Sequence, residues 1–139
     1  MDKILQTARM LFSMLLSYLF GGFDCLMQLL CLVMAIDFIS GIMLATVFQK
    51  SPKTKSGAVN SKAATRGLMR KVGQLLLIVM ITRLSVAVGD GYFCRNTAIL
   101  FFAAGECISI LENMGLMGVK YPEWLEKGLE MLQNSKINK

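Results

Sequence analysis

Three charged side chains lie inside long apolar stretches of this sequence. Asp37, Arg83 and Glu106 are each the only charged residue in a run of 24, 17 and 15 residues, respectively. A charge near the centre of a bilayer costs about 2.5–3.5 kcal/mol, so each of these groups is expected to face protein or water rather than lipid. Such groups can form ion pairs or carry protons, which makes them the candidate functional residues.

The helical spacing leaves several arrangements of the three charges open. Counted from the outer ends of their runs, Arg83 lies five residues deep and Glu106 nine, an offset of about 6 Å. An Arg83–Glu106 pair would hold a helical hairpin together, with Asp37 neutral. Alternatively, the charges line a polar seam between subunits or a water-filled lumen, or Arg83 extends to the outer surface. Ser109 and Asn113 continue the Glu106 face at i+3 and i+7 and favour polar helix association.

The remaining residue types form no catalytic or metal-binding pattern. The sequence has no histidine, and its four cysteines form no CxxC motif. Zinc sites and Cys/His nucleophiles are therefore not expected, and there is no glycine-rich phosphate loop. We expect a protein that is not an enzyme and has no metal or cofactor.

The composition predicts lipid as the solvent for most of the chain. Of 139 residues, 55% are hydrophobic and 17% are charged, and the mean hydropathy is +0.56. The run from Cys25 to Phe48 spans about 36 Å as a helix, enough to cross a hydrocarbon core of about 30 Å. The predicted fold class is an all-α integral membrane protein with about three transmembrane helices. The predicted segments are 1–23 (N-terminal amphipathic interfacial helix), 24–48 (first transmembrane helix), 49–71 (basic cytoplasmic loop and start of the next helix), 72–88 (second transmembrane helix), 89–96 (outer turn), 97–114 (third transmembrane helix) and 115–139 (C-terminal cytoplasmic amphipathic helix and tail).

Residues 2–20 have the pattern of an amphipathic helix with a narrow polar stripe. The helix is expected at the membrane interface, although a crossing helix or a role in timing stays open. A signal peptide is the competing interpretation, but no small-residue cleavage site follows the apolar stretch.

Small residues mark possible helix contacts within the apolar runs. Gly41 and Ala45 form a small-xxx-small pair in the first run, and Gly105 lies in the third. Such residues allow another helix backbone to approach closely. The pair is either a helix contact or a chance occurrence.

Seven basic residues and no acidic ones occupy positions 50–71. The connection at 89–96 carries only Arg95 against Asp90, so the positive-inside rule places the basic loop in the cytoplasm, the N-terminus outside and the C-terminus inside. The same seven residues are expected to contact anionic lipid headgroups. They are Lys50, Lys53, Lys55, Lys62, Arg66, Arg70 and Lys71.

Three stretches of sequence carry a family resemblance. They are Ile36 to Gly41, Asn60 to Val72, and Phe101 through Pro122, in which Glu-x-x-Ser-Ile-Leu-Glu-Asn from Glu106 to Asn113 is the most specific part. Over roughly residues 20–132 the chain resembles the phage-lysis and toxin-secretion holins of Gram-positive phages and clostridia. The resemblance implies a homo-oligomer in the bacterial cytoplasmic membrane that opens lesions for an endolysin or a toxin, without specifically binding that cargo. It implies no catalytic residues.

Two other classes of function stay open at this point. A small proton-coupled exporter would use Asp37 or Glu106 as proton carrier and would cause efflux without lysis. A soluble helical nucleic-acid binder would use the 50–71 cluster and would be extracted without detergent. The apolar runs disfavour nucleic acid as a partner.

Overall fold

The computed structural model describes residues 1–52 and 60–137, and within them it contains five α-helices and no strand. The second helix continues directly into a π-helical turn, Leu44–Phe48. This architecture confirms the predicted all-α class. Lys53 and Lys55 lie outside the described residues. The helices are α1 (Asp2–Phe20), α2 (Cys25–Met43), α3 (Ser61–Val88), α4 (Phe93–Leu116) and α5 (Glu123–Ile137).

Polar side chains at the helix starts explain where three of the helices begin. Asp24 caps α2 by accepting from the Met27 backbone N–H at 3.0 Å, and Asn60 caps α3 by accepting from the Lys62 N–H at 2.9 Å. In the first turn of α4, the Cys94 N–H donates to Asp90 Oδ2 at 3.0 Å. Asp24 and Asn60 are N-caps, whereas Asp90 precedes the N-cap position of α4; each of the three bonds satisfies a backbone donor that the helix itself leaves unpaired.

In the part of the chain that the structure describes, three helices are long and apolar enough to cross a membrane: α2 with its π-helical turn, α3 and α4. In the sequence, the second and third apolar runs are short for a crossing. The structure lengthens both, because α3 begins at Ser61 and α4 at Phe93, which gives helices of 28 and 24 residues. At 1.5 Å per residue these lengths correspond to about 42 Å and 36 Å, more than a bilayer core requires.

Polar contacts at both ends show how the three long helices run. Asp24 pairs with Arg95 at the starts of α2 and α4, while Ser40 and Asn113 bond near their ends, so these two helices are parallel. The third helix, α3, is antiparallel to both, since its residue Lys71 contacts Asp37. Buried apolar side chains fill the space between the two polar levels. They are Met27, Leu30, Val33, Met34, Ile78, Ile99 and Ala103.

The outer surface of the bundle is largely apolar. Leu76, Phe93 and Phe101 are 65–73% exposed, and many other large apolar side chains of the three long helices are also exposed. Helix α1 has no buried residue. Exposed apolar area on this scale fits a lipid environment rather than water.

Gly21 offers a test of the tight packing where α1 ends. Gly21 and Gly89 have nearly the same left-handed φ, 71° and 72°. A Cβ at Gly21 would lie 3.2 Å from Thr82 Cγ2 and 3.3 Å from Arg95 Nε, whereas at Gly89 it would meet nothing within 4 Å. Thr82 and Arg95 are fully buried and cannot yield.

We therefore expect Gly21→Ala to destabilise more than Gly89→Ala. The left-handed backbone costs both variants about 1–2 kcal/mol, and overpacking adds about 1–3 kcal/mol at Gly21 alone. Chemical unfolding in detergent micelles measures the difference. Equal losses for the two variants would contradict the packing at this site.

Candidate functional site

A buried ion network joins the three long helices. The Lys71 ammonium on α3 donates to Asp37 Oδ2 on α2 at 2.8 Å and to Glu106 Oε2 on α4. Only 12% of the Lys71 side chain is exposed, with 10% for Asp37 and 7% for Glu106. Two carboxylates therefore share one ammonium in a region shielded from solvent, where Coulomb attraction is strong but desolvation is costly.

Amide and hydroxyl groups extend this network along α2 and α4. Asn113 Nδ2 donates to Ser40 Oγ at 2.9 Å and to Asp37 Oδ1 at 3.4 Å. The Ser40 hydroxyl donates to the Asp37 backbone carbonyl at 3.0 Å. We call the set Asp37, Ser40, Lys71, Glu106 and Asn113 the Lys71 network.

The Lys71 network lies well inside the bundle. From the ends where α2, α3 and α4 meet the Asp24–Arg95 pair, Asp37 is about 18 Å deep, Lys71 about 26 Å and Glu106 about 20 Å along the helix axes. In a core of about 30 Å these depths correspond to the half of the bilayer nearer the loop between α2 and α3.

Arg83 does not belong to the network. Its guanidinium carbon lies 4.3 Å from the centre of the Tyr18 ring of α1, a cation–π contact. Glu106 binds Lys71 instead, so the Arg83–Glu106 pair, one of the arrangements that the sequence left open, is not formed. The reason is register: with α4 starting at Phe93, Glu106 lies about 20 Å from the end of the bundle that holds the Asp24–Arg95 pair, whereas Arg83 lies only about 8 Å from that end.

Lys71 also corrects the predicted set of headgroup residues. Lys50, Lys62, Arg66 and Arg70 are exposed, whereas Lys71 points into the bundle. Lys62, Arg66 and Arg70 follow one another at i, i+4 and i+8 on one face, and Lys71 is turned about 100° from Arg70. This rotation of about 100° around the helix axis is the feature of the sequence that indicates different neighbours for Lys71 than for Arg70.

The predicted helix-packing residues line an open space within the protomer. Gly41, Ala45 and Gly105, together with Ser109, border a cavity of about 530 Å³ between α2, α3 and α4. A Cβ at Gly105 would meet nothing within 4 Å, so no close helix approach occurs there. Contacts of these residues with another subunit stay a prediction.

A second polar cluster, which the sequence analysis missed, surrounds Arg95. This side chain is 1% exposed and donates to both Asp24 carboxylate oxygens, at 2.8 and 3.1 Å, and to the Asn96 side chain. It also donates to the backbone carbonyls of Phe20 and Gly22, which join α1 to α2. Hydrogen bonding to the Arg95 guanidinium lowers the pKa of Asp24 from its usual value. The Asp24 carboxylate therefore stays ionised at neutral pH.

The chemistry of both clusters is structural or electrostatic. Within residues 1–52 and 60–137, no group of three His, Cys, Asp or Glu side chains is placed to hold a metal ion. The clusters satisfy charges inside a membrane bundle and tie its helices together. The fold and the site therefore define a helical membrane protein whose three spanning helices are joined by buried ion pairs.

The bacteriophage holin family matches residues 14–134, and this chain belongs to that family. An uncharacterized protein of Listeria monocytogenes is 32% identical over 126 residues, which cover 91% of this chain and 84% of the relative. An uncharacterized protein of Clostridium acetobutylicum is 34% identical over 119 residues, 85% of this chain and 89% of the relative. A protein of Bacillus phage phi105 named "Probable holin" is 26% identical over 123 residues, 88% and 84% of the two chains. No solved structure matches. The resemblance seen in the sequence is thus confirmed.

Proposed function

We propose that this protein oligomerises in the bacterial cytoplasmic membrane and opens lesions through which an endolysin, or in some relatives a toxin, leaves the cell. The match to the holin family over residues 14–134 carries this proposal. It needs no active site, only helices that first associate with one another and later surround water.

The charged groups of the Lys71 network can bind one another while the helices are packed together and can bind water once the helices surround a lumen. In the described bundle Asp37, Lys71 and Glu106 satisfy one another within one protomer. If subunits separate the three helices around a lumen, water can solvate the same charges. The cost of exposing the charges to lipid therefore opposes separation of the helices until a lumen forms. The exposed apolar faces of the bundle provide surface for subunit contacts as well as for lipid.

Expression of the protein from a tightly controlled promoter in a bacterium tests the function. We expect a delay followed by an abrupt loss of membrane integrity, measured by entry of an impermeant DNA dye. Co-expression of an endolysin that lacks a secretion signal is expected to cause cell lysis, measured as a drop in the optical density of the culture. Expression of the endolysin alone serves as the control. Normal growth at a high membrane level would contradict the proposal. Efflux without loss of integrity would favour an exporter instead.

We further propose that the N-terminus faces outside and that residues 49–71 and the C-terminus face the cytoplasm. The seven basic residues at 50–71 support this orientation by the positive-inside rule. Cys94 is exposed at the start of α4 and serves as a natural reporter. In a variant that keeps only Cys94, a membrane-impermeant maleimide is expected to label intact cells. With Lys50→Cys as the only cysteine, labelling is expected only after permeabilisation, and the reverse pattern would invert the topology.

A further inference from the structure

Helix α3 carries a row of basic side chains along one face of its first turns. Lys62, Arg66 and Arg70 follow one another at i, i+4 and i+8, so the row is about 12 Å long. All three are exposed, and none of them forms a salt bridge with an acidic side chain within the described residues. We call these three residues the basic row.

Helix α5 carries a row of acidic side chains of nearly the same length. Glu123, Glu126 and Glu130 lie within about 60° of one another around the helix axis and span about 10 Å along it. All three are exposed. In the described part of the chain, their one salt bridge is the 3.9 Å contact of Glu123 with Lys127 of the same helix. We call the three glutamates the acidic row.

The acidic row faces away from the protomer that carries it. Leu125 and Gly128 of α5 are half-buried, whereas the glutamates are exposed. At 100° per residue, Gly128 lies about 170° from the middle of the acidic row. A neighbouring molecule can therefore reach the glutamates while α5 stays packed against its own protomer.

Helix α5 begins at the depth of the basic row. The Tyr121 hydroxyl, just before α5, donates to the Leu111 carbonyl of α4 at 2.7 Å, and the Tyr121 ring lies beside Gly115. Leu111 and Gly115 are about 27 and 33 Å along the axis from the end of the bundle opposite the α2–α3 loop. Arg70 and Arg66 are also about 27 and 33 Å from that end. Copies inserted in one orientation therefore place α5 of one protomer level with the basic row of another.

We propose that the acidic row of one copy docks on the basic row of a second copy, so that α5 joins adjacent subunits. The inference rests on the proposed function and names the surface through which the oligomer forms. Opposite charges at nearly equal spacing and equal depth make the two rows complementary. Because the contact uses a different surface on each copy, it can repeat from subunit to subunit into a ring or a chain.

Disulfide cross-linking in membrane vesicles tests the contact between copies. Two full-length chains with different tags are co-expressed, and in each the four native cysteines are replaced by alanine. One chain carries Arg66→Cys and the other Glu126→Cys, so any bond between the two chains joins two copies. We expect oxidation by copper phenanthroline to produce a mixed dimer.

A matched pair of chains controls for random collision. The partner of Arg66→Cys now carries Trp124→Cys, which is also exposed on α5 but is turned about 160° from Glu126. We expect about fivefold less mixed dimer from this pair, because its cysteine faces away from the contact. Equal yields from the two pairs, or no mixed dimer from either, would overturn the proposal.

Charge reversal tests whether the two rows bind each other. Glu126→Lys combined with Glu130→Lys places like charges opposite the basic row, so the dissociation constant of the dimer in detergent micelles is expected to rise about tenfold. Arg66→Glu combined with Arg70→Glu is expected to have the same effect. All four changes in one chain restore opposite charges and are expected to return the constant to within about threefold of its original value. Sedimentation equilibrium measures the constants.

Reversal of two exposed charges on α1 provides the control for these variants. Asp2→Lys combined with Arg9→Glu is expected to leave the dissociation constant unchanged. Circular dichroism confirms that each variant folds. Failure of the fourfold variant to recover would overturn the proposal. A loss of association in Arg66→Glu with Arg70→Glu alone would also overturn it, since that pattern indicates anionic headgroups rather than α5 as the partner of the basic row.

The unmodified protein distinguishes failure of this contact from failure of the proposed function. If it associates but the charge reversals change nothing, the subunits meet through another surface, and lesion formation by an oligomer still stands. If it stays monomeric at high concentration in the membrane, both the contact and the proposed oligomer are refuted.

Discussion

Replacing Lys71 with methionine is expected to destabilise the protein by about 3–5 kcal/mol. The substitution preserves much of the side-chain volume but leaves Asp37 and Glu106 buried without their shared ammonium. Removal of one partner from a buried ion pair leaves an uncompensated charge, which explains the size of the loss. Unfolding by denaturant in mild detergent, followed by circular dichroism, measures it.

Neutral replacement of the whole triad provides the control for this prediction. Lys71→Met combined with Asp37→Asn and Glu106→Gln removes all three charges, so most of the lost stability is expected to return. Lys62→Met changes an exposed cation on the same helix and is expected to alter stability by less than about 0.5 kcal/mol. If Lys71→Met behaves like Lys62→Met, the ammonium does not hold the three helices together.

Replacing Arg95 with methionine is the second substitution with a large expected effect, also about 3–5 kcal/mol. Arg95 is 1% exposed, and its donors hold the Asp24 carboxylate and two carbonyls of the α1–α2 connection. Its loss leaves several acceptors unpaired at once. Unfolding in detergent gives the total loss, and limited proteolysis after Phe20 reports whether α1 detaches first.

Two further variants define what the Arg95 site requires. Arg95→Lys keeps the charge but lacks the planar fork that reaches several acceptors, so it is expected to recover less than half of the stability. Arg9→Met removes an exposed arginine of α1 and is expected to have almost no effect. Full recovery by lysine would mean that charge alone, rather than the directed hydrogen bonds, stabilises this end of the bundle.

The elements of the fold could be predicted because their signals are local. A largely apolar run of 24 residues, in which Asp37 is the only charged one, is long enough by itself to define a spanning helix. The second and third spans were predicted as 72–88 and 97–114, which is shorter than the observed helices, because α3 and α4 continue through polar residues that favour helix. Hydropathy therefore predicted the position of each spanning helix more accurately than the residues at which the helix begins and ends.

The candidate site was predicted only in part. The cost of charge in lipid singled out Asp37, Arg83 and Glu106, and helical spacing added Ser109 and Asn113. The Lys71 network contains Asp37, Glu106 and Asn113, but not Arg83 or Ser109. The partner of the two carboxylates was missed because Lys71 follows three basic residues that do face outward, and its sequence position resembles theirs. Arg95 was missed because an arginine in a short polar connection is usually solvated. In each case the deciding contact joins residues 34–76 positions apart.

The sequence by itself determined that this protein is a helical membrane protein, and it placed the charges that cannot face lipid. Those conclusions follow from hydration energies and helix periodicity, which depend on each segment alone. Only the tertiary structure decided that Lys71 rather than Arg83 neutralises Glu106, and that Arg95 lies buried against Asp24. Such pairings depend on which helices are neighbours and on their axial register, since a shift of a few residues moves a charge by about 5 Å. That register is the result of packing over the whole bundle.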